Sequence, residues 1–181
     1  MFAGKSTKLL HVVNEFIDVS HAKGIGKKAI IINSVKDNRN IKKTGNITSH
    51  SSMEKKTTKS NIEFLTVEKL SDVKVERYDC IGVDECQFFP DLYETVKIWL
   101  DQKKQVNCAG LISDVNKNKF GQLLDLFPHS SDNIQMKAYC LKCEEHCQNA
   151  TFTKLIKETG EKNTLFVSAS EHYIPVCEKH F

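Results

Sequence analysis

The stretch Ala3-Gly4-Lys5-Ser6-Thr7, followed at once by Lys8-Leu9-Leu10-His11-Val12-Val13-Asn14-Glu15-Phe16-Ile17, decides how the chain is to be read. The apolar residues after Thr7 recur at helical spacing, which predicts a helix from about Ser6 to His21, with Gly24-Ile25-Gly26 ending it. A Gly-Lys-Ser-Thr at the start of such a helix is the end of a phosphate-binding loop. Glycine lets backbone N–H groups approach phosphate oxygens, lysine supplies a cation for the β- and γ-phosphates, and a hydroxyl holds Mg²⁺. The helix N-terminus adds its own preference for anions. The glycine that opens the full pattern would stand before Met1, and such a loop ordinarily emerges from a central strand. The expectation is therefore a truncated or mis-set start, or a loop without its brace.

The rest of the chain alternates short apolar runs with helical patterns. Ala29–Ile32, Ile62–Val67, Tyr78–Val83 and Val106–Ile112 read as buried strands, and Phe88–Leu100 and Phe120–Phe127 as helices, the second stopped by Pro128. Residues 36–60 are polar and lysine-rich and read as a loop. The alternation predicts an α/β fold: a parallel-sheet, P-loop NTPase-like domain with helices on both faces, its N-terminal strand missing. After Met136 cysteines and short β-like segments (151–156 and 164–167) take over. We place a P-loop domain at 1–135 and a small zinc-ribbon-like lobe at 136–181.

Tyr78-Asp79-Cys80-Ile81-Gly82-Val83 runs into Asp84-Glu85, an apolar strand capped by two carboxylates. Beside a phosphate loop, Asp84 would serve Mg²⁺ opposite Ser6, and Glu85 could take a proton from an attacking hydroxyl.

Seven cysteines divide into two groups. Cys80, Cys86 and Cys108 lie among apolar residues and read as core fillers. Cys140-x-x-Cys143 and Cys177-x-x-His180 are two knuckles whose four ligands suit a closed, structural Zn²⁺ site. Cys147 leaves the second ligand open between Cys143 and Cys147, and His146 could compete; the knuckle spacing favours Cys140, Cys143, Cys177 and His180.

Composition narrows the classes. A chain that is 40% hydrophobic and 27% charged, with a net charge of +3, is an ordinary globular protein with no electrostatic case for nucleic acid or membrane. No apolar run reaches the ~18–20 residues of a spanning helix. No signal-peptide pattern opens the sequence, so a cytoplasmic protein is expected. Arg39 and Arg77 are the only arginines, and a buried or bidentate anion contact is expected at one of them.

Taken together, Met1–Thr7, Asp84-Glu85-Cys86-Gln87-Phe88-Phe89, Ala150-Thr151-Phe152-Thr153-Lys154 and Tyr173-Ile174-Pro175-Val176-Cys177-Glu178-Lys179-His180 resemble the type II thymidine kinases along essentially the whole chain. The resemblance implies transfer of the γ-phosphate of ATP to the 5′-hydroxyl of thymidine. It places Gly4, Lys5, Ser6 and Thr7 around the triphosphate, Asp84 at Mg²⁺ and Glu85 as general base. Lys36-Asp37-Asn38-Arg39 resembles a family segment that puts Asp37 and Arg39 near the phosphoryl centre. Phe88 and Phe120 would flank thymine, the backbone around Phe152 and Thr153 would read the base edge, and Tyr173 would lie beside the nucleoside. A homotetramer is also implied.

Departures from the family pattern carry expectations of their own. Cys86 stands where glycine is usual, and Leu111-Ile112-Ser113-Asp114-Val115 lacks the usual carboxylate and aromatic, which predicts a looser pocket and a wider range of deoxypyrimidines. Two readings follow: an active thymidine kinase, or an impaired family member that binds nucleotide without efficient turnover.

Overall fold

The structure is a computed structural model that describes residues 2–37, 59–156 and 173–181. Helix α1 (Lys5–Ala22) buries Leu9, Leu10, Val13 and Ile17 along one stripe. It stops where Gly24 takes a left-handed φ of 67°, while Gly24 N–H donates to His21 O and Ile25 N–H to Ser20 O.

Four parallel strands follow: β1 (Ala29–Ser34), β2 (Ile62–Val67), β3 (Cys80–Val83) and β4 (Gln105–Cys108), in the order β2-β1-β3-β4. Their pairing is in step, with Ala29 opposite both Ile62 and Cys80, and Cys80 opposite Gln105. β1 is paired on both edges and buried at all six residues, which is why Ala29–Ile32 is continuously apolar rather than alternating, with the buried polar Asn33 and Ser34 at its carboxyl end.

Strand alternation divides the core between the two faces. Ala29, Ile31 and Cys80 point to α1, joining Leu9, Leu10, Val13 and Ile17. Ile30, Ile32, Ile81 and Val83 point the other way, onto helix α2 (Leu92–Asp101) through Leu92, Val96 and Trp99. Each of those three side chains contributes ~1.5–3 kcal/mol by leaving water. Gly82 sits under α1: a Cβ there would lie 3.2 Å from Val13, 3.3 Å from Ile31 and 3.4 Å from Leu9, so its bare backbone lets the helix settle close to the sheet.

Beyond the sheet, strands β5 (Phe152–Leu155) and β6 (Tyr173–Val176) pair antiparallel beside a third cluster built on Ala138, Cys140, Ala150, Val176 and Cys177. Ala3, just ahead of the phosphate-type loop, packs against this cluster.

The expected parallel α/β fold with helices on both faces is present. Several boundaries differ. α2 begins at Leu92, not Phe88, because residues 86–88 form a 3-10 turn and Pro90 disfavours helical backbone at Phe89, which is extended (φ −89°, ψ 116°). β4 ends at Cys108, not Ile112, because its partner β3 stops at Val83, where the chain turns away through Asp84 and Glu85. Residues 112–120 instead fold back on themselves through the Ser113–Lys119 bridge. The helix expected at 120–127 is a 3-10 segment, Leu123–His129, with Pro128 inside it; Gly121 at φ 68° turns the chain before the segment can start. The β-like segment expected at 164–167 and most of the 36–60 loop lie outside the described residues.

Among the described residues no strand precedes Gly4, and β4 is paired on one edge only. No described helix is long and apolar enough to cross a membrane. Cys80 and Cys86 are fully buried, as core fillers should be; burial pushes the Cys80 thiol up to about 12 and Cys86 well above its ordinary value.

Candidate active site and metal centre

In a parallel sheet the carboxyl ends of the strands collect loops, and here they collect the candidate chemistry. Gly4 opens α1 at a left-handed φ of 79°, a conformation that glycine adopts without strain, with Met136 lying 3.6 Å from where a Cβ would be. No side chain caps the helix, so its first N–H groups are left to other acceptors. Lys5 and Ser6 are half-buried there, and Thr7 is exposed.

Asp84 continues β3, its N–H donating to Ile32 O at 2.8 Å. Its carboxylate accepts the Glu85 N–H at 3.0 Å. Glu85 adopts a left-handed conformation, φ 46° and ψ 42°, which a non-glycine residue holds only when its surroundings over-determine it. Both carboxylates are buried, at 5% and 6% exposure, so burial here is not that of a solvated strand end.

Gln87 is the support for Glu85. Its side-chain N–H₂ donates to Glu85 Oε2 at 2.7 Å, and its carbonyl oxygen accepts the Leu111 N–H at 3.0 Å. Two glycines make room for this arrangement. A Cβ on Gly110 would lie 2.6 Å from both Cys86 Sγ and Gln87 Oε1, and one on Gly121 would lie 2.6 Å from the Gln87 carbonyl oxygen and 2.8 Å from its Cα. Cys86, where the family resemblance leads one to expect glycine, therefore fills space above Gly110. Sequence reasoning missed Gln87; its signal was a buried-type amide two residues after a carboxylate pair.

Asp37 lies beyond the end of β1, 7% exposed, with Oδ2 accepting the Asn33 side-chain N–H at 3.1 Å. Asn33 was also missed. Arg39 lies outside the described residues. Arg77 donates through one nitrogen to Glu63 Oε2 at 2.6 Å and to Tyr78 OH at 2.7 Å, on an exposed edge, so its anion contact is neither buried nor bidentate.

Phe88 and Phe120 meet edge to face, ring centroids 5.7 Å apart at 84°, and both are half-buried. Phe152 and Thr153 lie on β5, opposite Val176 and Pro175, and Tyr173 opens β6 with 8% exposure.

Cys140, Cys143, Cys177 and His180 bring their ligand atoms within 4.8 Å of one another. His180 Nδ1 is 3.6 Å from Cys140 Sγ, 3.5 Å from Cys143 Sγ and 3.4 Å from Cys177 Sγ, and the Cys143 and Cys177 sulfurs are 3.8 Å apart. A tetrahedron with Zn–S near 2.3 Å and Zn–N near 2.0–2.1 Å has edges of about 3.8 Å between sulfurs and about 3.6 Å from sulfur to nitrogen. The donor set thus fits a four-coordinate metal ion. Between Cys143 and Cys147 the geometry selects Cys143. Burial and the neighbouring thiols push Cys143 up to about 12, whereas Cys140 is drawn down to about 6, burial there being outweighed by N–H donors from Cys177 and Lys142.

A buried carboxylate pair at the carboxyl edge of a parallel sheet, an uncapped helix behind a Gly-Lys-Ser turn, and a Cys/His metal-type cluster packed on the loop define a P-loop-like phosphotransferase. Comparison with known proteins narrows this to one family. The thymidine kinase family model matches residues 1–181, and the chain belongs to that family. It is 33% identical to a thymidine kinase of Amsacta moorei entomopoxvirus over 98% of this chain and 91% of that protein. It is 32% identical to a thymidine kinase of Oryza sativa subsp. japonica over all of this chain and 63% of that protein. A thymidine kinase of African swine fever virus (isolate Pig/Kenya/KEN-50/1950) is 30% identical over 98% of this chain and 87% of its own length. Members of this family are transferases.

Proposed function

We propose that this chain phosphorylates thymidine at its 5′-hydroxyl, taking the γ-phosphate of ATP. The family match across residues 1–181 carries the reading. The alternative of an impaired nucleotide binder has no observation in its favour that outweighs this kinship.

Roles follow from placement. Lys5 and the first N–H groups of α1 would hold the triphosphate, with Gly4, Ser6 and Thr7 around it. Ser6 and Asp84 would hold Mg²⁺, whose chemistry is to neutralise charge on the β- and γ-phosphates. The buried, acceptor-only oxygens of Asp84 at the sheet's carboxyl edge suit such a hard cation. Glu85, aimed by Gln87, would accept the proton of the attacking hydroxyl. Asp37 and Arg39 would lie near the phosphoryl centre, Arg39 stabilising charge on the transferred group. Thymine would rest against Phe88 and Phe120, read by the backbone of Phe152 and Thr153 and flanked by Tyr173. Zinc in the Cys140, Cys143, Cys177 and His180 cluster would be structural, since four protein ligands leave no open position.

We further propose a division into a nucleotide-binding domain, 1–135, and a zinc lobe, 136–181, and a homotetrameric, cytoplasmic enzyme. The test is direct: purified protein is incubated with labelled thymidine and Mg·ATP beside a Glu85→Gln variant. Labelled thymidine monophosphate well above the variant's background is expected; none above that background overturns the reading.

A further inference from the structure

Residues 112–120 form a tight hairpin of which only Phe120 has a role above. Ser113 and Lys119 pair antiparallel, Phe120 N–H donates to Ile112 O, and the Asp114 carboxylate accepts the N–H groups of Asn116 and Asn118. At the turn stands Lys117, at a left-handed φ of 63°. A lysine there carries strain that glycine would not.

The Lys117 ammonium lies over two aromatic faces at once, 4.5 Å from the Phe152 ring centroid and 4.1 Å from that of Phe181. The two rings are 5.2 Å apart, making a shallow aromatic seat. Both distances are inside the ~6 Å range over which a cation is attracted to a ring face. A second lysine ties the same seat together: Lys154 Nζ donates to the main-chain oxygens of His180 at 3.1 Å and Phe181 at 2.9 Å. The hairpin's other end is anchored beside the acidic pair, through Leu111 N–H on Gln87, Gly121 against the Gln87 backbone, and Phe120 on Phe88. The hairpin therefore spans from Glu85's support to the strand that carries Phe152 and Thr153.

We propose that Lys117 is a positioning residue, its ammonium clamping the 112–120 hairpin onto the Phe152–Phe181 seat and so setting where β5 stands relative to Glu85 and Phe88. Its effect is on nucleoside binding, not on the phosphate side. The part concerning nucleoside rests on the thymidine kinase reading; the clamp itself does not.

Lys117→Gly separates this role from a merely structural one, because it relieves the backbone strain while removing the cation. In the zinc-loaded full chain, Lys117→Gly is expected to keep its Tm while raising the KM for thymidine about fivefold, the size of an exposed cation–π contact. The KM for ATP and the zinc content stay unchanged. Lys117→Arg, which keeps a cation, is expected to restore the thymidine KM. A thymidine KM unmoved by Lys117→Gly, or one that rises together with the ATP KM, overturns the positioning role. A double-mutant cycle in urea unfolding between Lys117→Met and Phe181→Leu needs no substrate. A coupling of about three- to fivefold in the unfolding constant supports the clamp, and simple additivity overturns it. Failure of the unmutated protein to phosphorylate thymidine would instead sink the functional reading, leaving that cycle to judge the clamp.

Discussion

Replacing Gly121 with alanine sets two separable costs against each other. At φ 68° any Cβ is strained, costing ~1–2 kcal/mol. The new methyl would also lie 2.6 Å from the Gln87 carbonyl oxygen, 2.8 Å from its Cα and 3.1 Å from its carbonyl carbon. Those are backbone atoms, so no flexible side chain can swing away, and the overpacking adds ~1–3 kcal/mol. Gly24 provides the control: its φ is 67°, and nothing lies within 4 Å of its would-be Cβ. Gly24→Ala thus measures the backbone strain alone, ~1–2 kcal/mol, and Gly121→Ala should lose ~2–5 kcal/mol. For a chain of this length each kcal/mol moves Tm by roughly 2–4 °C, so the Gly121 variant should melt about 4–20 °C lower. Urea and thermal unfolding at a fixed excess of zinc measure both variants, with thymidine phosphorylation followed in parallel. The Gly121 variant should also lose activity, since the displaced Gln87 is the donor to Glu85. Equal stability losses in the two variants would refute the claim that Gly121 is needed for close approach as well as for its φ.

Other consequences are open to equally direct measurement. Glu85→Gln should lower kcat by about 10²–10⁴ with little change in the KM for ATP, read from steady-state kinetics. Cys177→Ser, or prolonged exposure to a strong zinc chelator, should drop bound metal well below one equivalent and lower Tm, by metal analysis and calorimetry; full zinc retention by the variant would argue against the four-ligand set. The Asp91 carboxylate, although burial alone would raise its pKa, is held below its ordinary value by the Ser71 and Leu70 N–H groups that it accepts. A depressed folded pKa stabilises above the unfolded value and is lost as pH falls through the folded one. Asp91→Asn should therefore flatten the stability profile below about pH 4 and leave its shape near neutrality unchanged, checked by urea unfolding across that range.

Much of this protein was legible in order along the chain, because the physics involved is local. A helix stripe such as Leu9, Val13 and Ile17 repeats every turn, and a strand buried on both faces, such as Ala29–Ile32, is apolar throughout. Gly-Lys-Ser before a helix, Asp84-Glu85 after an apolar run, and the two knuckles ending in Cys143 and His180 are likewise short-range signals. These determined the parallel α/β class, the acidic strand end and the metal-type ligand set. Element ends were less legible where a neighbour decides them, as when β4 stops because β3 has turned away at Val83.

The tertiary structure alone decided the rest, since it concerns residues that meet only after folding. Knuckle spacing favoured Cys143 over Cys147 without deciding between them; the approach of the Cys143 sulfur to 3.8 Å from Cys177 and 3.5 Å from His180 decided it. Nothing in a run of amino acids says that Gln87 braces Glu85, that Gly121 makes room for Gln87, or that Lys117 lies across Phe152 and Phe181. Such contacts join distant parts of the chain and leave no periodicity behind. The sequence by itself therefore determined which chemical groups this protein owns, and the fold decided which of them touch.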